Sequence, residues 1–292
     1  MATPLSATSI SQSPRREVRR AAVLGMSQET RDAWNRLVRR LSGGALTLLG
    51  APGPNRVLLD RARRSGALEG ALDDPSAPTR EVVIPFTGAT PHQRQLWKDS
   101  DYKITDLTLP VIRRAHVTMK LLDAEGCRLV LAGHPGDPEC LAIAGESRGV
   151  AVIESADEAA DLPFAPHTGI IFQTSISSQR ARTIVEALRH RHRDSKVQVL
   201  DTLSPVALRR EQTLRDLARE SDLLLIIADP ADPSGRALYE TARWLGRPAR
   251  IIHRFDDLDP DELQDFRHIG LSAGEFTTDD EIAQVEMQLL NL

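Results

Sequence analysis

Cysteine occurs only twice in the 292 residues, at Cys127 and Cys140. Two cysteines are too few for a disulfide framework, so a reducing cytoplasm is the expected location. Aromatic residues are also scarce, at 4%, which argues against the stacking platforms used to bind single-stranded nucleic acid. A net charge of −4 gives no basic footprint for a polyanion. No apolar run approaches the ~18 residues of a membrane span. The first twenty residues are rich in Ser, Thr and Arg, with Glu17 their single acid. They are expected to form a disordered tail, a transit peptide being the competing reading. Their short basic run reads as a solvated segment rather than a nucleic-acid site.

What is present is a regular alternation of short apolar runs and amphipathic stretches from Gly44 onward. Strands are expected at Ala45–Leu49, Glu81–Pro85, Lys103–Thr105, Arg128–Ala132, Val150–Ile153, Gly169–Gln173, Val197–Leu200, Asp222–Ala228, Ala249–His253 and His268–Leu271. Helical patterns lie between them, as at Val111–Leu122, Ser178–His190 and Val206–Glu220. Continuous apolar runs such as Leu223–Ala228 suit parallel strands covered on both faces. The alternation therefore predicts βαβ units. Polar, Pro-containing stretches at Ala71–Thr79 and Asp157–Thr168 favour several small modules over one long sheet, with a tail over 1–20 and modules over 21–106, 107–202 and 203–292.

The strand ends carry the informative segments. They are Asp106-Leu107-Thr108-Leu109-Pro110 with Arg114 and His116, Gly133-His134-Pro135-Gly136-Asp137-Pro138-Glu139, Gln173-Thr174-Ser175-Ile176-Ser177, Asp201-Thr202-Leu203-Ser204 with Arg210, and Gly270-Leu271-Ser272-Ala273-Gly274-Glu275-Phe276-Thr277. In this order and spacing they resemble the signatures of the iron–sulfur hydroxymethylbutenyl diphosphate reductases, over Gly44 to the C-terminus. The resemblance implies an α/β fold of three small parallel-sheet modules, set as a trefoil around a central cavity. In that family three cysteines, one per module, hold a cluster in the cavity.

At those positions this chain has Leu109, Ser204 and no cysteine near Gly25 or Met26. Clusters need thiolates as their dominant ligands, so the cluster is expected to be absent, and no metal or cofactor is expected in its place. The family's diphosphate-binding groups are altered as well. Its His-Asn pair reads Pro54-Asn55, its Ala-His-Gly reads Phe86-Thr87-Gly88, a histidine is Asp137 and a serine is Phe276. Asp229 and Asp232 add negative charge where the diphosphate would dock. Ser204-Pro205 and Asp232-Pro233 read locally as helix N-caps followed by proline at the first helical position. Such caps would close the anion-binding helix ends.

Glu139 is the candidate acid or base, against the plainer reading of an exposed carboxylate in a first helical turn. Thr108, His116, His134, Asp137, Gln173, Thr174, Ser175, Ser204, Ser234, Ser272 and Phe276 are the candidate ligand-binding residues, as the resemblance implies. His116 would lie on the cavity helix or simply be exposed. Cys140 reads as a small buried residue. The expected function is that of a cluster-free divergent homologue whose cavity takes a different, more apolar small molecule. Its chemistry would be cofactor-free acid–base chemistry in isoprenoid-related specialised metabolism, with no nucleic-acid or membrane partner. The alternative is a non-catalytic relative that binds a metabolite or a partner. Burial of Glu139 in a cavity would favour the enzyme, and filling of that cavity by side chains would favour the scaffold.

Overall fold

The computed structural model describes residues 16–291. The chain opens with β1 (Glu17–Arg20). A first module follows: α1 (Gln28–Leu41), β2 (Leu46–Leu48), α2 (Arg56–Arg64), β3 (Ala67–Glu69), β4 (Glu81–Ile84), α3 (Pro91–Lys98) and β5 (Lys103–Asp106). The second comprises α4 (Pro110–Ala124), β6 (Arg128–Ala132), α5 (Pro138–Ala144), β7 (Ala151–Ile153), α6 (Ala156–Asp161), β8 (His167–Phe172), α7 (Ser178–Arg191) and β9 (Lys196–Val199). The third comprises α8 (Pro205–Ala218), β10 (Leu223–Ile227), α9 (Pro233–Trp244), β11 (Ala249–Ile252), β12 (His268–Ala273) and α10 (Asp279–Leu290).

These strands form three four-stranded sheets, in the orders β3-β2-β4-β5, β7-β6-β8-β9 and β1-β12-β10-β11. Every pairing is parallel. The expected α/β class with three small parallel sheets is therefore observed. All five residues of β10 are buried, because helices cover both of its faces. Helix α1 shows the complementary pattern, with Ala33, Leu37 and Leu41 buried at four-residue spacing.

Two strands were not legible in the sequence. Residues 17–20, expected to belong to a tail, are the edge strand β1, in register from Glu17 opposite His268 to Arg20 opposite Leu271. Glu-Val-Arg-Arg has no apolar run, since an edge strand is held by backbone pairing and by ion pairs such as Arg20–Glu286. The third sheet is thus assembled from both ends of the described chain. β3 is only three residues long with two exposed, which leaves no periodic signal. The expected tail over 1–15 lies outside the described residues.

Candidate functional site

The strand ends of the three modules enclose a cavity of about 170 Å³. Its walls include Leu109 and Ile112 at the start of α4, Glu139 in α5, Thr174 and Ser175 after β8, Ser204 before α8, and Phe276 after β12.

Glu139 is positioned by its helix start. Asp137 N-caps α5, accepting from the Glu139 amide at 3.0 Å, and Pro138 occupies the first turn. This points the Glu139 side chain inward, where it is 4% exposed. Its Oε1 accepts from the Thr174 amide at 2.6 Å. Burial pushes the carboxyl up to about 7, the Asp137 charge adds to the rise, and the Thr174 bonds oppose it. The exposed-carboxylate reading is therefore wrong here. Burial also raises Asp137, although Arg236 lies 3.4 Å from its Oδ2.

The third-module wall is built from acids and their partners. Asp232 is the N-cap of α9, its Oδ1 accepting from the Ser234 amide at 2.9 Å and from Ser234 Oγ at 2.7 Å. Burial lifts this carboxyl to about 6, against the Ser234 bonds and Arg210. A Cβ at residue 274 would lie 2.2 Å from Asp232 Oδ2, so a side chain there would displace the capping carboxylate. The carboxylate thus fills the crevice at its own helix start. Ser204 caps α8, accepting weakly from the Ala207 amide at 3.4 Å. Both caps follow the local sequence reading. Asp229 accepts from the amides of Ala231 at 2.9 Å and Arg56 at 3.2 Å.

Sequence reasoning missed Glu275 and the role of Arg210. Glu275 lines the cavity and accepts from the Ser27 amide at 3.0 Å, from Thr30 Oγ1 and from the buried Arg210 guanidinium. Arg210 also donates to the Gly25 carbonyl at 2.6 Å. The available signal was that Glu275 is the one charged residue of the Gly270–Thr277 segment.

Five expected ligand-binding or catalytic residues come together in the cavity: Glu139, Thr174, Ser175, Ser204 and Phe276. The Ser175 Oγ has no hydrogen-bond partner among the described residues. The rest do not reach it. Thr108 Oγ1 is engaged with Asp106 and Arg94. His116 is neither exposed nor in the cavity wall; it is buried with Nδ1 2.6 Å from Glu146 Oε1. His134 and Gln173 line a separate cleft with Arg236 and Glu240, Gln173 Oε1 accepting from the His134 amide at 3.1 Å. Asp137 and Ser234 are used in helix caps, and Ser272 is wholly buried in β12.

The ring of Phe276 lies 6.5 Å from that of Phe86 at an interplanar angle of 15°. It seats on Gly53, where a Cβ would come within 2.5 Å of it. No cysteine lines the cavity. Cys127 is buried with Sγ 3.3 Å from the His167 ring, and Cys140 is fully buried, its thiol pushed far up by burial. The cavity lining offers carboxylates and hydroxyls but no thiolate, a donor set that does not fit an iron–sulfur cluster.

Three four-stranded parallel modules whose strand ends enclose one cavity define the trefoil α/β architecture of the hydroxymethylbutenyl diphosphate reductases. The chain belongs to the LytB protein family, whose model matches residues 31–290. It is 26% identical over 226 residues to the 4-hydroxy-3-methylbut-2-enyl diphosphate reductase of Actinobacillus pleuropneumoniae serotype 3 (strain JL03), covering 75% of this chain and 72% of that one. Against the reductase of Dechloromonas aromatica (strain RCB) it is 26% identical over 240 residues, covering 80% and 78%. The fold matches the Plasmodium falciparum reductase structure with a TM-score of 0.85 at 17% identity, over 94% of this chain and 88% of that chain. A second solved reductase matches with a TM-score of 0.65 at 22% identity, over 95% and 100%. Among the described residues no helix is long and apolar enough to cross a membrane.

Proposed function

We propose that this chain is a cluster-free homologue of the diphosphate reductases whose central cavity binds a small, mainly apolar molecule and whose Glu139 moves a proton on it. The observation that carries this reading is the placement of Glu139. It is buried in the cavity, with a carboxyl near neutrality and one oxygen fixed by the Thr174 amide. A general acid or base works best when it titrates near the operating pH. Leu109, Ile112 and Phe276 supply apolar walls, and Ser175, whose buried Oγ has no hydrogen-bond partner among the described residues, adds a polar group to the wall. Redox chemistry through a cluster has no support from these residues, since no thiolate faces the cavity. The link to isoprenoid-related metabolism rests on the relatives alone.

The reading is tested by calorimetric titration at low salt. 3-Methylbut-2-en-1-ol is expected to bind saturably, and 4-hydroxy-3-methylbut-2-enyl diphosphate to show no binding below millimolar concentration. Glu139 and Glu275 line the cavity with the cap carboxylate of Asp232 beside it, so acids outnumber the Arg210 cation that a polyanion would meet there, and low salt keeps that effect visible. Micromolar affinity for the diphosphate would overturn the assignment. In turnover, Glu139→Gln should cost on the order of a hundredfold.

A second reading, a non-catalytic binding protein, draws on a different observation. Phe276 and the cap carboxylate of Asp232 fill space next to the cavity with the protein's own side chains. Saturable binding of the alcohol with no chemical change under any pH would favour it.

A further inference from the structure

In an open parallel sheet, ligands bind beyond the carboxyl ends of the strands, where successive connections leave in opposite directions and their loops part. Each of the three sheets has one such point. In the order β3-β2-β4-β5 it lies between β2 and β4, in β7-β6-β8-β9 between β6 and β8, and in β1-β12-β10-β11 between β10 and β12. The third is closed by Asp232 packed on Gly274. The second opens onto a cleft whose lining includes His134, Arg180, Arg236 and Glu240.

The first differs from both. Beyond β2 and β4 lies a crevice of about 270 Å³, larger than the central cavity. Leu49, Pro54, Leu72, Pro85, Leu141 and Ala142 form its apolar surface, and no lining residue is charged. The Phe86–Phe276 pair, with Phe276 pressed on Gly53, stands between it and the central cavity. The first turn of α5 is the other shared wall, Pro138 lining the crevice and Glu139 the cavity. Gly88, at φ +89, holds the β4 loop where a side chain would be strained.

The polar groups of the crevice are nearly all occupied. Thr90 and Gln93 satisfy each other in the capping box of α3, at 3.1 and 2.8 Å. Thr87 is different: its side chain is buried at 8% exposure, lines the crevice, and makes no hydrogen bond to another described residue. We infer that this crevice, whose Pro54 and Thr87 stand where the resemblance implies diphosphate-binding groups but which Phe276 walls off from the central cavity, is a separate binding site, for a neutral, mainly aliphatic small molecule carrying one hydroxyl or carbonyl oxygen that meets Thr87. A charged ligand would be stripped of water with no countercharge to replace it.

Three compounds of one skeleton test the inference on the full chain: cyclohexylmethanol, cyclohexanecarboxylate and cyclohexylmethylammonium. Calorimetry should show saturable binding of the alcohol, with both ions at least tenfold weaker. Thr87→Val keeps the shape and should weaken the alcohol by about tenfold. Leu141→Arg, at an exposed position on the rim, should abolish it. Amide shifts should move at Gly50–Gly53 and Thr87–Gly88. Equal affinity for an ion, an unaffected Thr87→Val variant, or shifts confined to Thr174 and Ser175 would each overturn the second site. That last outcome would leave the central-cavity reading standing.

Discussion

At the scale of single residues, Glu139 and Phe276 decide what the cavity is. The Glu139 carboxyl keeps its proton up to about pH 7 in the fold, against an ordinary value of 4.5. A carboxyl raised in this way contributes its full stability below the unfolded value and loses it as pH climbs through the folded one. Between about pH 4.5 and 7 the protein should therefore lose on the order of 3 kcal/mol from this group. Glutamine does not titrate, so the Glu139→Gln variant should gain on wild type by roughly 2–3 kcal/mol from pH 5 to pH 8. Urea unfolding of both proteins at the two pH values measures this, and a constant difference would refute a buried titrating carboxyl. Asp232, raised to about 6, slopes the wild-type curve in the same direction but is common to both proteins. Phe276, 6% exposed and stacked on Phe86, acts by volume. Its replacement by alanine should cost about 3–5 kcal/mol, and should join the cavity to the neighbouring crevice, readable as a single larger void in a crystal structure of the variant.

At the scale of elements, helix starts and one edge strand do the positioning. The caps of α5, α8 and α9 by Asp137, Ser204 and Asp232 satisfy backbone amides that would otherwise face the cavity. They turn places suited to anions into places suited to neutral groups. β1 works at the opposite margin. It donates backbone bonds from Glu17 to Arg267 at 2.9 Å and is followed by Ala21 bonding to Leu271 at 2.8 Å, with Ala21 in the core. Removing residues 1–22 should lower stability by at least about 2 kcal/mol, at roughly 1 kcal/mol for each net bond. It should also expose the β12 edge to intermolecular pairing. Urea midpoints together with size-exclusion profiles report both effects; an unchanged midpoint would show that the strand is dispensable.

At the scale of the whole molecule, three modules meet at one cavity, and Leu109 and Ser204 line it at two of the positions where the resemblance implies cluster ligands. The purified protein should stay colourless after anaerobic reconstitution with iron and sulfide. Leu109 and Ser204 line the cavity, while Cys127 and Cys140 are buried in the second module. Metal and sulfide analysis with a visible spectrum decides it, a stoichiometric cluster being the result that would sink the proposal.

Much of the local organisation follows from sequence alone. The apolar runs of β6, β8 and β10 specify strands covered on both faces, because only that burial suits continuous Leu, Ile and Val. Ser204-Pro205 and Asp232-Pro233 specify helix starts, because cap chemistry acts over three residues. What the sequence could not decide joins residues far apart in the chain. Arg210 meets Glu275 from 65 positions away, and Phe276 seats on Gly53. β1 pairs with a strand from the other end of the chain. The state of Glu139 belongs to this group too. A carboxylate in a first turn is ordinary when solvated and becomes an acid near neutrality only when other modules remove its water, and that desolvation is a property of packing.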